Sequence, residues 1–481
     1  MPRSCAGINM GKVSRVPEKL PSRGSLLALA LVGTCLVAGF FLAACETAPA
    51  TEETVLPTAA FPLEAASTDT PIPVTGTVLL FWEPYPLDRP MGLLLGEMVR
   101  DFQAENPEIE VEIVAKSGTV GLHESMLAAL PDGDLPHLAV AFPSMISAYA
   151  AQGAVIPLDA FLVDAEEGLS AEDLADFYPG LIQSGQLSGY GGQMMSFPFT
   201  QSALGMWVNQ SLLEGAGWTA APATWSEFEQ ACYDIWAYSG RPCYPVVESV
   251  SIFDAWLRSR GGQQVDEIAR QATFQALPGV ESLDLLRRLL DVGLAWRPPD
   301  TYGDYVAFAN GEAVFAFSST GSSQLYVEAY DAAVSGGIAP FRWTQTLIPQ
   351  ADPNQPATSL VGTNFFILPS DPEHEMAAWR LIRWFTLPEQ TARWAASLEA
   401  MPVRVSAQAV MTDTLAAHPF VRAQMEEIMP YARPEPSLPE SLAAREILYT
   451  AIVSVTQGYS GTQEALDAAA SKVNALLGSA P

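Results

Sequence analysis

The chain has 481 residues, with 24 Lys and Arg against 54 Asp and Glu, a formal net charge of −30. So acidic a chain is excluded as a nucleic-acid binder, because neutralising phosphates takes clustered Lys and Arg, and its surface is unsuited to anionic lipid. With 49% apolar and 10% aromatic residues it is no disordered tail; it can bury large cores, and its length allows roughly two or three domains.

Residues 1–24 carry Arg3, Lys12, Arg15, Lys19 and Arg23, and an uncharged apolar run follows from Ser25 to Ala44. A basic segment, an apolar stretch and small residues at its end predict an export signal over 1–44. The run closes on Leu42-Ala43-Ala44-Cys45. That ending is similar to a bacterial lipobox, where the Cys becomes the first mature residue and carries diacylglycerol. A plain transmembrane anchor is the alternative, since about 20 apolar residues span a bilayer; the position of Cys45 favours lipidation at the outer face of the cytoplasmic membrane. Residues 45–75, rich in Thr, Pro, Ala and Glu, read as a disordered tether with a reach of about 30 Å. Cys5 and Cys35 fall in the signal, which leaves Cys232 and Cys243 in an oxidising compartment. Their spacing suits one local disulfide, with two buried thiols as the alternative.

From residue 77 strand-like and helix-like segments alternate. Thr77–Trp82 is a short apolar run of strand type. Leu94, Leu95, Met98 and Phe102 stripe a helix over Gly92–Glu105, and Ile109–Val114 alternates apolar and acidic residues as a strand does. Leu138–Phe142 is a third strand, and Ser144–Gln152 a helix stopped by Gly153. This order predicts an α/β sheet with crossover helices. Further on, Thr224 with Glu227 forms a capping box that opens a helix over Trp225–Tyr238. Val280, Leu283, Leu286 and Leu290 stripe another helix. Ala313–Phe317 and Thr363–Leu368 read as strands, and His374–Phe385, Pro388–Leu398 and Thr462–Leu477 as helices, with Trp379, Ile382 and Phe385 facing a core.

No catalytic motif is present: no G-x-S-x-G, P-loop, G-x-G-x-x-G or H-E-x-x-H. The histidines, His123, His137, His374 and His418, are not spaced to share a helix face, so neither a metal nor a cofactor is expected. The Ser- and Gly-rich run Ser318–Ser323 lacks the Lys of a phosphate cradle and reads as a sugar- or solvent-facing loop. Eleven tryptophans are the informative class, because the flat face of a sugar ring stacks on aromatic rings while polar groups take its hydroxyls. Trp82, Trp207 and Trp256 are the ligand candidates among them.

Several runs in order carry a family resemblance. They are Phe81-Trp82; Phe102 to Pro107 with Val111; Ala150-Ala151-Gln152-Gly153 to Pro157-Leu158-Asp159; and Phe197-Pro198-Phe199 through Trp207-Val208-Asn209 to Ala216-Gly217 and Pro222-Ala223-Thr224-Trp225. Phe308 to Val314, Gly362-Thr363-Asn364, Ala377-Ala378-Trp379, Met401-Pro402-Val403-Arg404 and Ala465-Leu466-Asp467 follow. From about residue 77 to its end the chain resembles the extracellular solute-binding lipoproteins of carbohydrate ABC transporters, a group related to glycerol-3-phosphate binders.

The resemblance implies an α/β, two-lobed periplasmic-binding-protein fold (type II-like), each lobe a mixed β-sheet flanked by helices, joined by hinge strands. Lobe one would hold 76–201 and 361–400, and lobe two 202–360 and 401–481. It implies a monomer, not an enzyme, that delivers a sugar or oligosaccharide to permease subunits in the membrane. Expected cleft residues are Trp82, Glu83, Thr119, Phe142, Ser144, Ser202, Trp256, Gly262, Ser319, Thr320, Asn364 and Arg404. Pro143 stands where the glycerol-phosphate branch places an acid, and Lys116 and Lys472 are the mature lysines, so an uncharged sugar is favoured. Other polar solutes (glycerol-3-phosphate, a glycerophosphodiester, a polyol, a polyamine) are the second reading. An exported glycoside hydrolase, which needs two facing carboxylates, is the third.

Overall fold

A computed structural model of the protein describes residues 76–299, 303–398 and 401–478, all within a unit that spans Pro71–Pro481. The signal over 1–44, the tether over 45–75 and the lipidation site Cys45 lie outside the described residues.

Eight strands form one sheet: β1 (Thr77–Glu83), β2 (Ile109–Ala115), β3 (Leu138–Ala141), β4 (Phe197–Asn209), β5 (Phe315–Ser319), β6 (Trp343–Thr346), β7 (Thr358–Ile367) and β8 (Ala432–Pro434). The order is β6-β4-β7-β3-β1-β2, with β5 also on β4 and β8 also on β7. β1 is parallel to β2 and β3, as crossover helices require. The helices Pro90–Glu105 and Gly118–Ala129 make those crossings.

Two long strands organise the rest. The first part of β4 pairs with β7, from Phe197↔Phe365 to Ala203↔Leu360. Its second part pairs instead with β5 and β6, from Leu204↔Ser319 to Asn209↔Trp343. β7 returns the chain to β3, Asn364↔Ala141 to Ile367↔Leu138. The two strands cross side by side between the halves of the sheet. Gly362, on β7, has φ +152°, and a Cβ there would sit 2.3 Å from the Thr200 carbonyl oxygen, so only glycine allows this approach.

Aromatic packing fills both halves. In the first, Phe197, Phe199, Phe365, Phe385, Trp379 and Trp394 are buried together; Trp379 and Phe385 come from the predicted stripe of the helix Pro372–Phe385, capped by the Asp371 side chain. In the second, Trp225, Phe228, Tyr244, Trp256, Phe315 and Phe317 form the core. Thr224 and Glu227 close the capping box that opens Trp225–Ser239, and Cys232 is bonded to Cys243 across the loop that follows. The C-terminal helices Ser441–Thr456 and Thr462–Gly478 pack on Val250, Phe253 and Leu257 in a third cluster.

Met401, Val403, Ala407 and Met411 are buried in the same cluster as Trp379 and Trp394, and Val403 N donates to Thr391 Oγ1 at 3.0 Å. Further along, the Phe420 ring packs against Trp207 and Trp343.

Candidate functional site

A cavity of about 640 Å³ lies where β4 and β7 cross, within the ~300–1,000 Å³ usual for small-molecule sites. Its floor is Gln201, Ser202 and Leu204 from β4 and Leu360, Val361 and Gly362 from β7. One wall is Phe142–Met145 with Ser184. The facing wall combines Val247, Ser249, Ser251, Ile252, Asp304, Tyr305, Phe317–Ser319 and Tyr326, and Pro434–Pro436 with Arg445 closes one end.

Local chemistry fixes the first wall. β3 ends at Ala141, and Pro143 opens the helix Pro143–Ala150 at a position where its missing N–H costs nothing. The residue before a proline is held extended, and Phe142 has φ −66° and ψ 145°. Its ring is therefore held off the helix and stays 37% exposed at the cavity. Ser144 follows it into the lining.

The floor rests on a buried amide network. Gln201 Nε2 donates to the Thr363 carbonyl at 3.1 Å and to Asn364 Oδ1. Asn364 Nδ2 donates to Ser184 Oγ at 3.1 Å and Ser196 Oγ at 3.0 Å. Asn364 is thus one layer behind the cavity, orienting Gln201 and Ser184, which do line it. Thr320 is placed likewise: fully buried, its Oγ1 accepts from Ala203 N at 3.1 Å. Ser319 lines the cavity, its Oγ 3.2 Å from Ser322 Oγ. Ser202 lines it too, and its Oγ donates to the Val361 carbonyl at 3.1 Å, across the two crossing strands.

Phe142, Ser144, Ser202 and Ser319 are therefore brought together. Trp82, Glu83 and Thr119 are not in the lining; the first two end β1, and Thr119 opens the helix after β2. Trp82 is nearly buried, with Lys116 Nζ 3.7 Å from its ring centre. Glu83 is fully buried; its Oε2 accepts from Tyr85 N at 2.6 Å, and its Oε1 has no hydrogen-bond partner among the described residues. Burial raises its carboxyl to about 7. Thr119 is half-buried in the helix Gly118–Ala129.

Trp256, Gly262, Arg404 and Trp207 do not line the cavity either. Trp256 is inside the helix Val250–Arg258, not on a loop, and packs tilted against Trp225 and edge-on against Phe317, which lines the cavity. At Gly262 an added Cβ would meet Leu257 and Pro278, so its backbone is packed against side chains, away from the cavity. Arg404 is buried in the first half: Nε donates to the Thr386 carbonyl at 2.6 Å and Nη1 to the Asp173 carbonyl at 3.1 Å, over the Phe177 ring. Trp207 is buried as well, stacked at 4.7 Å behind Tyr326.

Residues 97–423 match the family model described as bacterial extracellular solute-binding protein. The chain belongs to that family. No curated protein sequence matches it. Among solved structures, this solute-binding protein is similar to the cyclic alpha-maltosyl-1,6-maltose binding protein from Arthrobacter globiformis (21% identity, TM-score 0.70, covering 84% of this chain and 99% of that one). It is similar to the sugar-binding protein MalE from Xanthomonas citri (20%, TM-score 0.71, 84% and 98%). It also resembles UgpB from Mycobacterium tuberculosis, solved in complex with glycerophosphocholine (20%, TM-score 0.67, 84% and 99%). The fold is the two-lobed periplasmic-binding-protein fold, with β4 and β7 as crossing strands and the cavity between the lobes. The family and these neighbours are solute-binding proteins, not enzymes, and the family is extracellular, so the protein is exported.

Proposed function

We propose that this protein is the receptor of an ABC importer and that its solute is a sugar or oligosaccharide, held in the cavity at the crossing strands. The observation that carries this is the lining: hydroxyls of Ser144, Ser184, Ser202, Ser249, Ser251 and Ser319 with the Gln201 amide, beside the rings of Phe142, Tyr305, Phe317 and Tyr326. Rings stack on the apolar face of a pyranose while short polar groups take its hydroxyls. The fold is shared with sugar-binding proteins of several bacteria. Contacts made to both lobes at once stabilise the closed form, so the solute shifts the open–closed equilibrium and presents a closed pair of lobes to permease subunits. The protein acts as a monomer and without catalysis, in lobes that divide the chain broadly as the resemblance implies.

A phosphodiester solute is the second reading, from the similarity to UgpB. Against it, the one guanidinium among the described lining residues, Arg445, is already held by Glu435 and by Ser251 Oγ at 3.1 Å.

A panel of saccharides and glycerophosphodiesters in a thermal-shift assay tests the reading, since a ligand that binds the folded state raises the melting temperature. Saccharides raising it support the proposal, and phosphodiesters alone doing so contradict it. For the best saccharide, Phe142→Ala is expected to weaken binding about tenfold or more, with the melting temperature of the free protein little changed, because Phe142 is exposed. Lipidation at Cys45 is the proposed anchor; Cys45→Ala is expected to move the protein from the membrane fraction to the soluble one, and retention in the membrane contradicts it.

A further inference from the structure

Among the described residues, the cavity lining holds two carboxylates, Asp304 and Glu435, against one guanidinium, Arg445. Glu435 Oε2 pairs with Arg445 Nη1, which uses up the cation. Asp304 has no such partner: its Oδ2 accepts from Tyr326 OH at 2.9 Å, and among the described residues no Lys, Arg or His is paired with it. The surroundings are aromatic: Tyr326 is fully buried beside it, and the Tyr305 ring is 6.2 Å from that of Tyr326. A charge in such a low-dielectric, ring-lined space is costly unless a counter-charge meets it. The described residues supply none, so the missing positive charge is the ligand's to bring. Carboxylate and aromatic faces together are also the surroundings an ammonium prefers over a neutral hydroxyl.

We propose that the solute is a saccharide bearing a basic amine, and that Asp304, held by Tyr326, pairs with its ammonium group. This deepens the saccharide reading and rests on it. The apolar first wall, Phe142 and Met145, takes the uncharged part of the ligand, and the Asp304 end takes the amine. Burial pushes the Asp304 carboxyl up from its ordinary value, and a bound ammonium would restore it. N-acetylation of the amine removes the charge while keeping the sugar, and so separates the two contributions.

The test is calorimetric titration of the purified protein with glucosamine, galactosamine and their disaccharides, each beside its N-acetylated counterpart, at a pH where the amine is protonated. At least one amine form is expected to bind ten times or more tightly than its acetylated counterpart. In Asp304→Asn that preference is expected to collapse, chiefly through weaker binding of the amine form. Equal binding of each pair, preference for the acetylated forms, or a preference that survives in Asp304→Asn overturns the proposal. If the variant fails to fold, the wild-type comparison decides alone. Binding of neutral oligosaccharides without any amine-bearing one overturns this inference and leaves the saccharide reading standing, whereas no saccharide binding at all overturns both.

Discussion

Replacing Arg404 by Ala is expected to destabilise the protein by about 3 kcal/mol while leaving its ligand affinity within about twofold. The guanidinium is 2% exposed and ties its own segment to two others. It donates to the Thr386 carbonyl, to the Asp173 carbonyl and Oδ1, and lies 3.6 Å from Asp176 Oδ2. Val405 N and Ser406 N continue the stitching on Asp176. Asp173 and Asp176 are themselves partly exposed and can rehydrate, so the loss comes chiefly from carbonyls left without donors and from the space over Phe177, each worth about 1–3 kcal/mol. Urea denaturation measures the first quantity and titration below the melting point the second. A variant of parental stability that no longer binds its solute would put Arg404 back among the ligand contacts.

The second large effect concerns Glu83. Its carboxyl is raised from 4.5 to about 7, chiefly because burial disfavours the charge, against a smaller opposing hydrogen bond from Tyr85. The folded protein therefore holds this proton more tightly than the unfolded chain does. The stabilisation it gives is fully present below about 4.5 and is lost as pH rises toward 7. At about 1.4 kcal/mol per pH unit this amounts to at most about 3 kcal/mol across that window. Glu83→Gln keeps the shape and cannot ionise. Its stability relative to the parent is expected to rise across the same window, by about 2 kcal/mol at pH 7.5 compared with pH 4.5. Parallel denaturation series of the two proteins check this, because titrations common to both cancel; curves that stay parallel would show that Glu83 is charged at no cost.

Local pattern revealed the sheet edge and the helix faces, where one side of an element is wet. The alternation of Ile109–Val114 and the stripe Trp379, Ile382 and Phe385 are visible for that reason. β4 has no such period. Phe197–Asn209 is buried on both faces for nearly its whole length, so its apolar residues do not alternate, and only the family resemblance marks it as a crossing. Trp256 carried a readable warning: with Val250 and Phe253 it stands at three-residue spacing on a helix, which is a core pattern. Asp304, Tyr305, Glu435 and Arg445 gave none. They come from segments far apart in the chain, belong to no motif, and become a site only when the two lobes and the C-terminal segment meet. The same holds for Arg404, whose partners Asp173 and Asp176 lie more than two hundred residues away.

The claim on which all of this turns is that a saccharide occupies the space over β4 and β7. A crystal structure with the best-binding member of the panel tests it directly. The account predicts a sugar ring against Phe142, polar contacts from Gln201 and the cavity serines, and both lobes touching the same molecule. A saccharide seated elsewhere, or this cavity filled by an anion on Arg445, would contradict it.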